Sequence, residues 1–346
     1  MDSSRIGNYR WIICSLLFFA TTINYIDRQV IGLLKPTLAS QFHWTEVDYG
    51  YIVMAFAGMY SLGYVIFGSL IDKVGTKIGY SVSVFLWSIA AILHSIVRST
   101  PGFGTVRGLL GLAESGNFPA GVKAVAEWFP KSERAIATGI FNSGTSIGAV
   151  VAPLMVPWIL GLYGWQEAFW ITGTLGFIWL IFWWIFYEIP TKQKRLKQPE
   201  LDFINSDNEV SETGNSLKLK WVQLLSLRQT WVFIIGKVLT DPIWWFFLFW
   251  LPAYFSDTFN LDLTKPSLHL AVIYVSTTFG SIGGGMSGSI ASTLFPLLVG
   301  ALLAHYKNLG NISGGYNILF AICGTAYLLC WFIIHLLTKR MKPIIL

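Results

Sequence analysis

The sequence predicts an all-α, polytopic membrane protein of about ten transmembrane helices. Three observations carry that reading. Hydrophobic residues make up 54% of the 346-residue chain and charged residues only 12%, about half the charged share of an ordinary soluble domain. Uncharged runs of roughly twenty residues, long enough to cross a hydrocarbon core as a helix, recur from one end to the other. Trp, Tyr and Phe together make up 16% of the chain, which suits aromatic belts at the two membrane surfaces. The net charge of +6 sits in loops between apolar runs, so it speaks of orientation across a membrane and gives no support to a nucleic-acid partner.

Taken in order, the expected spans cover residues 11–37, 46–71, 78–97, 101–127, 135–161, 167–188, 229–255, 268–284, 286–305 and 314–337. The first, preceded by Arg5 and Arg10, is too long for a signal peptide, and no small-residue cleavage site follows it. The stretch 268–305 has no charged loop. Gly283, Gly284, Gly285 and Gly288 are expected to turn the chain there, because about 38 helical residues would far exceed a bilayer. A polar stretch from 189 to 228 carries Lys192, Lys194, Arg195, Lys197, Lys218, Lys220 and Arg228. It divides the chain into a six-helix bundle over 1–188, a basic linker over 189–228 and a shortened bundle of about four helices over 229–346. Lys73, Lys77, Lys123, Lys131, Arg134, Lys339, Arg340 and Lys342 fall on the loops of one parity, which places both termini and the linker on the cytoplasmic side.

The ends of the two halves match each other. Ser146-Ile147 with Pro153-Leu154 aligns without gaps to Ser289-Ile290 with Pro296-Leu297, and Phe169, Ile171, Gly173 and Thr174 align to Phe320, Ile322, Gly324 and Thr325. Internal repeats of this kind are frequent in transporters. Counterparts of spans three and four are then missing from the second half, with the gap near Gly285-Met286.

Charged residues inside apolar helices cost roughly 2.5–3.5 kcal/mol each on insertion scales, so they mark cavities or partners. Span one holds Asn24, Tyr25, Asp27 and Arg28. An acid there can carry a proton, and a neighbouring guanidinium can take a carboxylate through two parallel hydrogen bonds; the alternative is a structural ion pair. Span four holds Arg107 and Glu114, seven residues apart and therefore on one helical face. They form either a proton-dependent switch or a static pair that fixes helix register. Gly111, Gly116 and Pro119 permit close packing or a bend beside them. After span two, Gly68, Asp72, Lys73, Gly75 and Lys77 form a tight basic loop able to latch helix bundles through its charges, or simply to set orientation.

Weaker substrate-binding candidates are Tyr60 as a hydroxyl donor, and Asn142 and Thr145 with Ser146 in span five, which could equally be small-residue packing positions. Lys237 and Asp241 are spaced to pair. Trp244 and Trp245 form either an apolar wall or an interfacial belt. His94 and His335 have no evident acid or metal partner. Cys14, Cys323 and Cys330 lack metal-ligand spacing and are expected to be free thiols. No phosphate loop, nucleophile elbow or zinc motif occurs, so neither an enzyme, a metal site nor a bound cofactor is expected.

Together, Asn24-Tyr25-Ile26-Asp27-Arg28, the loop from Gly68 to Lys77, Arg107 with Glu114, Trp128-Phe129-Pro130 with Glu133-Arg134, and Gly164-Trp165 resemble the anion:cation symporter family of the major facilitator superfamily. The stretches 237–245 and 295–300 are most similar to its bacterial hexuronate transporters. The resemblance covers nearly the whole chain except a block at 285/286. It implies major facilitator helical bundles and proton-driven uptake of galacturonate, glucuronate or a related organic anion across an inner membrane by a monomer. It assigns Asp27 and Glu114 to proton coupling, Arg107 to support of Glu114, and Arg28 to the substrate carboxylate, with Tyr25 and Tyr60 nearby. The partners implied are a small organic anion, the proton and the lipid bilayer. The competing expectation is an internally deleted, transport-defective member of the same family, since the missing spans would supply part of the cavity wall.

Overall fold

The computed structural model describes residues 7–206, 228–259, 261–268, 270–272, 274 and 289–337. Every regular element among them is helical. The order is α1 (Tyr9–Phe42), α2 (Glu46–Val74), α3 (Thr76–Leu93), α4 (Thr100–Glu114), α5 (Asn117–Trp128), α6 (Lys131–Leu162), α7 (Trp165–Phe186), the short α8 (Gln198–Ile204), α9 (Arg228–Phe259), α10 (Ser289–Asn308) and α11 (Ile312–Leu337). Six of the described helical stretches are long and apolar enough to cross a membrane. The expected turn at 283–285, the gap at 285/286, most of span 268–284, the basic residues Arg5, Lys218, Lys220, Lys339, Arg340 and Lys342, and the side chains of Lys237, Cys330 and His335 lie outside the described residues.

Local sequence sets where the helices begin and break. Thr45 and Asp48 close a reciprocal capping box at the start of α2, satisfying amides that a helix start would otherwise leave open. Gly75 turns the chain between α2 and α3 at φ 85°, a conformation that glycine adopts without a Cβ penalty. Ser99 caps α4. The single span expected over 101–127 is divided into α4 and α5 at Ser115-Gly116. Pro119 accounts for the division, because it has no N–H to bond the carbonyl of Ser115 and its ring crowds the preceding turn. The break falls directly after Glu114.

The helices pack in two groups. In the first, α1 lies against α6 and α7, α2 against α4, and α3 against α7. The α1–α6 contact is close because α6 carries Gly144 and Gly148 four residues apart. A Cβ on Gly144 would stand 2.5 Å from the Phe18 carbonyl, and one on Gly148 would stand 2.6 Å from the Thr22 carbonyl. Without a hydrophobic driving force between helices in lipid, such small-residue seams supply the packing. In the second group α9, α10 and α11 pack on one another. The groups meet where α10 lies along α2 and α9 along α1.

Proline also shapes this junction. Pro157 cannot donate to the Pro153 carbonyl one turn earlier. The amide of Ser267, from the segment after α9, donates to that carbonyl at 3.1 Å instead. Large apolar side chains of α2, α6 and α7, among them Leu62, Val65, Ile136, Trp158, Ile181 and Trp184, remain on the outer surface, as lipid-facing positions require.

Candidate functional site

The buried polar centre lies where α1, α2, α4 and α9 converge. Asn24, Asp27, Arg28, Arg107 and Glu114 are all essentially buried. Arg28 Nε and Nη2 donate to Glu114 Oε2 at 3.0 and 2.9 Å, and Nη2 also donates to Asn24 Oδ1 at 3.0 Å. Aromatic rings enclose the guanidinium, whose carbon stands 4.5 Å from the Tyr25 ring centre, 4.7 Å from Tyr60, and 5.2 Å from both Phe56 and Trp245. Ring faces carry negative quadrupole potential and hold a desolvated cation well. Trp245 comes from α9 and the other three rings from α1 and α2, so both helix groups build this cage.

The two spans meet through different atoms than their sequence spacing suggests. Glu114 was expected beside Arg107 on the face of its own helix, but its hydrogen bonds come from Arg28 across the helix packing. Arg107 Nη2 instead donates to the main-chain carbonyl of Arg28 at 2.5 Å, and its guanidinium lies 4.6 Å from the Phe56 ring. Helical register fixes which residues share a face, but the cross-helix partner depends on how α1 sits against α4. Asp27 is 2% exposed, and neither of its carboxylate oxygens has a hydrogen-bond partner among the described residues; the same is true of Glu114 Oε1 and of Arg107 Nε and Nη1. The centre is thus a buried, partly satisfied charge network.

Of the other expected residues, Tyr25 and Tyr60 stand in the cage, and the Tyr60 hydroxyl is 3.4 Å from that of Tyr64. Trp245 joins them as a wall residue. Thr145 and Asn142, on α6, do not join the Arg28–Glu114 hydrogen bonds. Asn142 Oδ1 is buried without a partner among the described residues. Cys14 and Cys323 are buried free thiols. His94 stacks on Phe169 with ring centres 4.9 Å apart and faces the Ala90 carbonyl at 2.8 Å through Nδ1, a packing position.

The basic loop ties helices of the first group to each other. Lys123 Nζ on α5 pairs with Asp72 at 2.9 Å and donates to the Ile71 carbonyl at 3.0 Å. Lys77 Nζ pairs with Glu188 at 3.0 Å and stands 5.1 Å from the Trp184 ring. Gly68 is no part of the turn. It lies inside α2 with open space beside it, and Lys73 is exposed.

Two ionic clusters escaped the sequence reading. At the start of α1, Arg10 is held by Glu133 (2.7 Å) and Glu200 (3.2 Å), and Glu200 also accepts the main-chain amides of Tyr9 and Arg10 at 3.1 and 3.0 Å. Glu200 thereby caps α1 with a carboxylate from the linker helix α8, a favourable charge for a helix N-terminus. At the other end of the molecule, Lys35 on α1 pairs with buried Glu46 on α2 at 2.7 Å, and Lys307 on α10 reaches Glu46 at 4.0 Å. Tyr316 on α11 donates to Asp257 on α9 at 3.4 Å, and Tyr49 on α2 donates to the Phe249 carbonyl at 3.0 Å. A Cβ on Gly300 would stand 2.6 Å from the Glu46 carbonyl, so α10 and α2 touch closely here. Lys35 and Glu46 at the edge of their apolar spans were the available signal for this second cluster.

Comparison with known proteins places these features in context. Residues 17–341 match the sequence profile of the Major Facilitator Superfamily. The chain is 34% identical over 282 residues to a galacturonate transporter of Dickeya chrysanthemi, covering 81% of this chain and 82% of that one. It is also 34% identical over 282 residues to the hexuronate transporter of Escherichia coli K12, but there it spans only 65% of the relative's length. Among solved structures, a bacterial homologue of the human lysosomal transporter Spinster, in an inward-facing and occupied conformation, superposes with a TM-score of 0.65 at 17% identity. That match covers 80% of this chain and 61% of that one, a likeness of fold.

Proposed function

This chain belongs to the Major Facilitator Superfamily, and on that premise we propose that it couples proton entry to uptake of a hexuronate or related organic anion by alternating access. Membership makes it a multi-pass membrane transporter rather than an enzyme. The proposal goes further, to the ion, the cargo and the direction, with both termini on the cytoplasmic side of an inner membrane.

The observation that carries the proposal is the Arg28–Glu114 pair inside its aromatic cage. A carboxylate already occupies the guanidinium where a substrate carboxylate would bind. An incoming anion and the ionised Glu114 therefore compete for the same donors. Protonating Glu114 removes the internal competitor and leaves Arg28 a buried cation in want of a carboxylate, a strongly unfavourable state unless an anion arrives. Proton binding and anion binding thus favour each other, and thermodynamic linkage makes the effect reciprocal. Asp27, one residue before Arg28 and equally buried, is the second acid able to take a proton. Tyr25, Tyr60 and Trp245 supply flat walls for a pyranose ring, and the galacturonate and hexuronate transporters named above support a sugar acid as cargo.

The Lys35–Glu46–Lys307 cluster supports the alternating-access part. It joins α2 to α10 at the end away from the linker through the Lys307–Glu46 contact, and on this reading that contact between the two helix groups separates when this end opens.

Uptake of labelled galacturonate and glucuronate into proteoliposomes tests the proposal. Accumulation that requires an inward proton gradient is the expected result; anion movement indifferent to the gradient would overturn the coupling. The absence from the second half of sequence counterparts of spans three and four favours one other reading, a family member that folds but does not transport. Binding of the anion without any uptake would establish that reading.

A further inference from the structure

We infer that Gln29 reads a hydroxyl pair of the transported acid, and so sets the preference for polyhydroxylated over simple carboxylates; this rests on the substrate reading above. Gln29 is 1% exposed, yet neither its amide nitrogen nor its amide oxygen has a hydrogen-bond partner among the described residues. A buried primary amide left unpaired is costly, and native proteins keep few of them without a reason. Asn24 on the same helix is half paired, its oxygen accepting from Arg28 at 3.0 Å while its amide nitrogen has no partner among the described residues.

Gln29 lies on the stripe of α1 that runs from the α6 seam, where a Cβ on Gly148 would meet Tyr25 Cβ at 2.7 Å, to α9. With about 100° between successive helical residues, Tyr25, Gln29 and Gly32 fall on one stripe of α1. Tyr25 marks the lower end of the stripe, with its ring 4.5 Å from the Arg28 guanidinium carbon. Gly32 marks the upper end, where a Cβ would stand 3.3 and 3.4 Å from the carbonyls of Phe249 and Leu248 on α9. Gln29 therefore sits between the carboxylate-binding cation and the point where α1 meets the opposite helix group. A ligand anchored at Arg28 and lying against Tyr25 extends along this stripe. A side-chain amide presents a donor and an acceptor side by side, which matches two neighbouring hydroxyl groups, one accepting and one donating. An aliphatic acid offers nothing to that amide and would leave it buried and unpaired. A site built to hydrogen-bond a hydroxyl group discriminates strongly against analogues that lack it.

The test uses the full chain in detergent, comparing wild type with Gln29→Met, which keeps length and volume but removes the hydrogen-bonding groups. A purely structural glutamine would lower the ligand-free melting temperature on substitution. Gln29 as proposed leaves it unchanged or raises it, because an unpaired buried amide has been removed. Binding of D-galacturonate to Gln29→Met is expected to weaken by at least about tenfold. Singly deoxygenated galacturonates supply the second axis. In wild type one or two of them bind more weakly than the parent, and in Gln29→Met that difference disappears for the same analogues. Should Gln29→Met fail to express, Gln29→Leu is carried through the same melting and binding series, and a variant that melts well below wild type without ligand overturns the inference. The inference fails alone if wild type binds D-galacturonate and the variant binds it equally well, or loses the parent and every deoxy analogue by one common factor. If wild type binds no hexuronate at all, the substrate reading fails with it.

Discussion

Arg28 and Glu114 are joined through one carboxylate oxygen: Nε and Nη2 both reach Oε2, at 3.0 and 2.9 Å, while Oε1 has no partner among the described residues. The fork of the guanidinium is therefore half matched. A free carboxylate presented in the plane of the same fork can use both of its oxygens, which is the stronger arrangement.

Arg28→Ala should abolish anion binding and also destabilise the protein, since it strands a buried Glu114; breaking one partner of such a pair costs about 3–5 kcal/mol. Arg28→Lys should fold better but still bind at least about tenfold more weakly, because a point charge replaces a planar fork. Isothermal titration with galacturonate alongside thermal melts separates the two effects. Unchanged affinity in either variant removes Arg28 from the site.

On the proposed mechanism Asp27 takes part in the coupling. Asp27→Asn keeps shape and burial but cannot release a proton. Counterflow exchange, which needs no net proton release, should survive in proteoliposomes while accumulation under a proton gradient falls to background. Accumulation at the wild-type level in Asp27→Asn would assign the coupling elsewhere.

Glu46 holds Lys35 and Lys307 from opposite helix groups. Glu46→Gln leaves two neighbouring lysines without their shared acid and should shift the population toward opening at that end. Spin labels on Tyr51→Cys of α2 and Leu298→Cys of α10, both on exposed positions, should report a longer or broader distance distribution in Glu46→Gln. An identical distribution would show that the cluster does not hold that end closed.

Glu188, two residues past the end of α7 at Phe186, gives a pH signature beyond that helix. The Lys77 hydrogen bond holds the Glu188 carboxyl below its ordinary value. A carboxyl depressed in the folded state contributes stability that is present above its unfolded value and is lost as the pH falls through the folded one. Glu188 is partly exposed, so solvent screening keeps that contribution small. Lys77→Met should melt slightly below wild type at neutral pH, and the two curves should converge in acid. A gap that persists at low pH would mean the loss comes from the Trp184 contact instead.

Much of this was legible in the sequence. Apolar run length and low charge marked the membrane helices, because every main-chain group in lipid must be paired internally. The buried charges marked the candidate site, because charge inside an apolar helix is costly. Several features were not legible, for identifiable reasons. The partner of Glu114 is Arg28 rather than Arg107, since same-face spacing within one helix says nothing about what the neighbouring helix presents. The break after Glu114 needed the consequence of Pro119 followed one turn back, to the carbonyl of Ser115. Gln29 drew no notice because a neutral amide carries little cost in a hydropathy window; only its burial without partners gives it meaning. Phe56 and Phe249 were hidden likewise among many aromatic residues, and only the fold shows them beside Arg107.

The central claim is that Glu114 and the transported anion compete for Arg28, with the proton deciding between them. Equilibrium binding of galacturonate across a pH series, in wild type and in Glu114→Gln, tests it most directly. Wild-type affinity should weaken as pH rises, approaching about tenfold per pH unit where one proton is fully linked to one anion. Glu114→Gln, which cannot ionise and so never competes, should bind at high pH as tightly as wild type does at low pH, with a flattened slope. The same pH slope in both proteins would contradict the account.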